Sequence, residues 1–173
     1  MTLYVGFSAP KSWKIGAEAI KWWIKRDYSH VFVAWKAERF SRVLVYHAAH
    51  GKVHFLSSER LLAENRIVKL YALEITDEHY RKLVQRCIDL AGEEYGYAEL
   101  IKILVKDICD SHSIQCKMVE NSRGYICSEL LAELLIGLGA DFARPTFLVR
   151  PDQIEDAMSQ VDAKEVKIEE LAI

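Results

Sequence analysis

The chain has 173 residues, of which 51% are broadly apolar and 28% charged. That is the composition of one globular domain, large enough to bury a core without disulfide staples. Its formal net charge of −2 gives no general pull toward nucleic acid. No run approaches the ~20 apolar residues of a membrane span, and residues 1–8 lack the basic leader and apolar run of a secretory signal, so synthesis in the cytoplasm is expected.

In chain order, residues 3–7 read as a first strand, punctuated by Pro10. From Ser12 to about Lys25, Trp13, Ile15, Ala17, Ile20, Trp23 and Ile24 recur at helical spacing. Asp27-Tyr28-Ser29 turns the chain into two strands rich in branched and aromatic residues, 30–35 and 42–48. His50-Gly51-Lys52 then leads to a third, 53–55, completing an antiparallel meander. A short helix follows from Ser57-Ser58 to Leu62, and residues 66–75 alternate as a further strand. Thr76 is an N-cap signal for a helix over 77–91 that Gly92 stops. Residues 97–109 have a helical pattern and 110–123 are polar and irregular. A helix opens at Cys127 after Gly124 and ends at Gly137 and Gly139. Residues 141–149 read as strand-like, Pro151-Asp152 restarts a short helix, and the tail from about 161 is charged enough to fray. The whole chain, 1–173, is read as a single domain.

Three residues carry the chemistry. Cys127 begins a helix, where a thiolate faces the positive end of the dipole. His30 begins a strand, from which it can reach a neighbouring element as general base. His47, near the end of the next strand, can hold the second ring nitrogen of His30, with His50 as substitute and His54 a further competitor. The Cys127 N–H is a natural oxyanion donor. Tyr4, Tyr28 and Tyr125 could add a hydroxyl but read as packing residues, and only Tyr28 is kept as a site-lining group, with Ser128 as a second substrate contact.

Other patterns read more plainly. Cys109, His112 and Cys116 match no regular closed zinc spacing, so no metal or cofactor is expected. Cys87 reads as core, and four irregularly spaced cysteines fit a reducing compartment. The mixture of Trp13, Trp22 and Trp23 with Lys14, Lys21, Lys25 and Arg26 can mark a helix lying on an anionic membrane. The preferred reading is an ordinary amphipathic helix with its Trp face in the core and its Lys face in water, so membrane contact is not expected.

Taken together, Ser29-His30-Val31, His47-Ala48, the strand-to-helix unit at 70–77, Gly92-Glu93-Glu94-Tyr95-Gly96-Tyr97, Cys127-Ser128-Glu129-Leu130 and the closing Val149-Arg150-Pro151-Asp152 resemble the circularly permuted NlpC/P60 papain-like cysteine hydrolases of the YiiX/YebB type. Two features depart from that pattern. Val5-Gly6-Phe7 has no Asp after its Gly, and His47 stands where the permuted branch commonly has Glu.

The resemblance implies an α+β papain-like fold, an antiparallel sheet packed against helices. It also implies a thiol peptidase or amidase in which Cys127 forms a thioester, His30 is the base and His47 orients it. The substrate would be a peptide or acyl group, with peptidoglycan peptide as the default, delivered by phage or otherwise, or met in the cytosol. Nucleic acid is not an expected partner. The alternatives are a lipid-acyl thiol hydrolase or acyltransferase of the lecithin retinol acyltransferase-like type, and a catalytically silent binding module on the same shell.

Overall fold

The computed structural model describes residues 1–49, 51–94, 96–114 and 126–171, leaving aside the side chains of 49 and 97–102. Its elements are β1 (Thr2–Pro10), α1 (Ile15–Ile24), β2 (His30–Ala37), β3 (Arg42–Ala49), β4 (Lys52–Ser57), α2 (Ser58–Glu64), β5 (Asn65–Glu74), α3 (Asp77–Asp89), α4 (Tyr97–Ser111), α5 (Cys127–Gly137), α6 (Pro151–Ala157) and β6 (Lys164–Glu165), with short 3₁₀ turns between some of them. The strands form one antiparallel sheet in the order β4-β3-β2-β1-β5-β6. This is an α+β architecture, and the expected β2-β3-β4 meander forms one half of the sheet.

Strand alternation divides the core between two faces. Val31, Val33 and Trp35 of β2, Tyr46 and Ala48 of β3, and Leu3, Val5 and Phe7 of β1 pack with α3, α5 and α6. Phe32, Ala34, Val43, Val45 and Tyr4 point the other way, toward Leu61 of α2 and Leu171 near the end of the chain. Because both faces of β2 are covered, residues 31–35 read as an unbroken apolar run. The helix signals hold: Ser57 and Thr76 accept from the amides of Arg60 and His79, capping α2 and α3.

Three readings change. Residues 141–149 contain a 3₁₀ turn, Thr146–Leu148, where a strand was expected. Arg144 in this stretch turns to Asp107 of α4, which also receives Arg150 and the Trp23 indole, so polar anchoring replaces ladder pairing. The tail also does not fray: β6 pairs with Tyr71 and Ala72, the Val166 amide donates to Leu70 O, and Leu171 is fully buried. Third, the tryptophans in and just before α1 do not all face the core. Trp23 packs inward, but Trp22 is 82% and Trp13 73% exposed. Among the described residues no helix is long and apolar enough to cross a membrane.

Gly6 is required by packing. It lies directly across from Phe32, whose ring covers it so closely that an added Cβ would fall 2.0 Å from Cζ. The Gly6→Ala variant should lose about 1–3 kcal/mol of folding free energy through forced displacement of a fully buried ring. Urea unfolding measures it, and a midpoint equal to wild type would show that the ring moves freely.

Candidate active site

α5 begins at Cys127 with Ile126 as its N-cap, a residue whose side chain cannot bond the exposed amides of the first turn. The Cys127 sulfur takes that place, interacting with its own amide and that of Ser128, and also with the amide of Val31 on β2. The Val31 contact falls where β2 has run ahead of its pairing with β3, since the ladder between them begins at Val33↔Tyr46. The thiol is therefore seated between a helix start and the opening end of two strands.

Burial dominates its chemistry. Cys127 is 3% exposed, and desolvation pushes its pKa from the ordinary value near 9 up to about 11, although the three amides pull the other way. The sulfur is accordingly a neutral thiol at pH 7. Among the described residues no hydrogen bond joins it to an imidazole.

The imidazoles form their own chain. His30 Nε2 lies 2.9 Å from His47 Nδ1, His47 Nε2 lies 3.1 Å from His54 Nε2, and His54 Nδ1 lies 3.1 Å from the Lys52 carbonyl. Register explains the chain: His47 and His54 face each other across the β3-β4 hairpin, and His30 lies diagonally across the β2-β3 gap. By alternation all three belong to the Phe32 and Val45 face, whereas α5 covers the Val31 and Tyr46 face. Thiol and imidazoles thus stand on opposite sides of the same opening in the sheet.

The carbonyl at the end of the chain sets the protons of neutral rings. Lys52 O can only accept, so His54 Nδ1 carries hydrogen and His54 Nε2 is an acceptor. His47 Nε2 must then donate and its Nδ1 accept, which makes His30 Nε2 a donor. The nitrogen of His30 left with a lone pair is Nδ1, the one suited to take a proton.

His54 is the residue that sequence reasoning underrated. Its signal was the spacing of seven from His47 across a turn, which an antiparallel hairpin converts into a facing pair. Ser8 is a second omission. It lies directly opposite His30, is fully buried, and its Oγ has no partner among the described residues.

The two weaker candidates are committed to packing. Tyr28 is buried against Phe7 and donates its hydroxyl to Glu155, whose carboxylate also takes Lys69 and Arg26. Burial of Glu155 favours its neutral form, but those three partners win and hold it below the usual carboxylate range. Ser128 is fully buried and donates to Val149 O at 2.5 Å, tying α5 to the stretch before α6. His50, Tyr95, Tyr125 and residues 115–123 lie outside the described residues, while 110 and 111 extend α4 where a loop was expected. Cys109 is disulfide-bonded, which removes it as a thiolate ligand. Comparison with protein-family models and with curated proteins finds no match.

Two outcomes follow from this geometry. Alkylation of Cys127 by iodoacetamide should be slow at pH 7 and climb toward pH 11. Because the folded thiol titrates above its unfolded value near 9, its contribution to stability is complete below pH 9 and is lost as pH rises through about 11. Peptide mapping of the alkylated chain reads the first and thermal melts across that window the second; a thiol already fully reactive at pH 7 would contradict the burial account. Separately, nitrogen-15 spectra should show neutral His30 protonated at Nε2, and His54→Ala should release His30 into a mixture of tautomers. A wild-type His30 protonated at Nδ1 would refute the carbonyl-anchored chain.

Proposed function

We propose that the chain is a papain-like cysteine hydrolase of the circularly permuted NlpC/P60 type, cleaving an amide or peptide bond, with cell-wall peptide as the default substrate. The observation that carries this reading is the His30–His47 bond at 2.9 Å together with a helix-initial thiol whose sulfur meets the amide of Val31, the residue that follows His30. The base is thereby one residue along the chain from the contact that holds the nucleophile.

With the thiol neutral at rest, this is general-base chemistry and not a standing thiolate–imidazolium pair. As Sγ bonds to the acyl carbon, its proton passes to His30 Nδ1, and His47 stabilises the imidazolium by accepting from Nε2. His30 must turn toward the sulfur for this step. The acyl oxygen gains negative charge, for which the backbone amides of the first α5 turn, left without an Ile126 side-chain cap, supply donors. Collapse returns the proton to the leaving amine and leaves a Cys127 thioester. Water, giving its proton to the same nitrogen, then releases the acid and restores the thiol.

One specific observation favours a second reading, a catalytically silent module. A buried thiol whose sulfur faces the amides of Val31, Ser128 and its own residue already has a structural task at the helix start and the strand opening. The two readings separate in one assay. Muropeptides and acyl thioesters are offered to wild type, Cys127→Ala, His30→Ala and His47→Ala, and intact mass is recorded for a Cys127 adduct. The hydrolase reading expects turnover that vanishes in Cys127→Ala, falls by roughly 10²–10⁴ in His30→Ala, and falls less in His47→Ala. Absence of both turnover and adduct across the panel, with wild type and Cys127→Ala equally folded, would establish the silent module instead.

A further inference from the structure

α1 turns the wrong face to water for a globular helix. Ile20, Trp23 and Ile24 hold it to the core, and the Trp23 indole donates to Asp107 at 3.1 Å. On its outer side Ile15, Ala19 and Trp22 follow one another at helical spacing, all exposed, with Ile15 at 71% and Trp22 at 82%. Trp13, just before the helix, is 73% exposed. Isolated exposed apolar residues are ordinary, but two nearly bare tryptophans with an isoleucine along one short helix are not, because each indole forfeits a large burial gain.

The charge around this stripe is predominantly basic. Residues 11–27 hold five basic and two acidic side chains in a chain whose net charge is −2. Lys14 and Lys25 form no ion pair among the described residues. Beside Trp22 an open cleft of about 650 Å³ is bordered, besides Glu18 and Asp27, by the basic residues Lys21, Lys25, Arg26 and Lys69. Three of these already face a carboxylate, Lys21 on Glu18 and both Arg26 and Lys69 on Glu155, so the unmatched charge rests with the lysines flanking the tryptophans.

We propose that α1 and the turn before it dock the protein on an anionic bilayer, with Trp13, Ile15 and Trp22 entering the headgroup boundary and Lys14 and Lys25 meeting the acidic headgroups. A narrow convex apolar stripe edged by lysine suits shallow immersion in an interface. Indole is the side chain best matched to that depth, apolar over most of its area with one polar N–H. Lysines near the surface add attraction to anionic lipid that falls off within a Debye length. The inference does not depend on the hydrolase reading, since it uses none of the imidazole or thiol chemistry.

Vesicle sedimentation of the whole protein tests it, using phosphatidylcholine alone and phosphatidylcholine with roughly one third phosphatidylglycerol. Binding is expected to the anionic vesicles, with a blue shift of tryptophan emission, and to weaken in high salt. The Trp13→Ser/Trp22→Ser double variant, which changes only exposed positions and is checked for folding by circular dichroism, should bind at least about tenfold more weakly. Cys127→Ala should bind as wild type does. Failure of wild type to sediment with anionic vesicles, or equal binding by the double variant, overturns the proposal. So does concentration-dependent dimerisation that Trp22→Ser abolishes without any vesicle binding, because the stripe would then be covered by a second copy.

Discussion

The amide of Val31 and the sulfur of Cys127 form the contact on which the site end of the molecule is built. A helix start leaves donors over, and so does a strand that outruns its neighbour. Here both deficits meet at one atom, because α5 lands where β2 and β3 have not yet paired. Leu130, Leu131 and Leu135 fix the landing by packing onto the sheet, and Ser128 pins the first turn to Val149. The sulfur's burial is thus a consequence of the docking geometry, and its raised pKa follows from that burial.

Across the opening, the imidazoles meet a different requirement. Each ring must share its nitrogens with a neighbour without two protons or two lone pairs colliding, and the Lys52 carbonyl breaks that degeneracy. The direction so imposed runs through His54 and His47 to His30. A peripheral backbone oxygen therefore determines which nitrogen of the partly buried His30 ring carries the lone pair. The arrangement gives His30 a defined acceptor while its neighbour is held by cross-strand register.

Much of this was legible in the sequence because the signals were local. Thr76 before a helical period, Gly92 after it, and branched residues alternating through 30–35 and 42–48 all report on neighbours a few positions away. The adjacency of His30 and His47 was also readable, since a meander brings consecutive strands together. What failed depended on distant partners. The stretch at 141–149 has a strand's composition but is drawn to Asp107, and the tail has a disordered segment's charge but finds the free side of β5. The α1 spacing could show which positions share a face but not which face the core would take. Helical period placed Trp13 and Trp23 in one set, and only Trp23, half-buried, packs against the core.

The short pairing of β6 along β5 has a consequence for the molecule's behaviour toward its own kind. β5 is ten residues long and would otherwise present a row of unsatisfied donors and acceptors at the border of the sheet. The segment from Lys164 to Leu171 lies over the middle of that row, with Lys164 and Glu165 setting charge outward. A span that looks dispensable by composition thereby acts as a guard rail against strand-to-strand polymerisation, and its loss would reveal itself in colloidal behaviour before it touched any chemistry at the opposite end of β2.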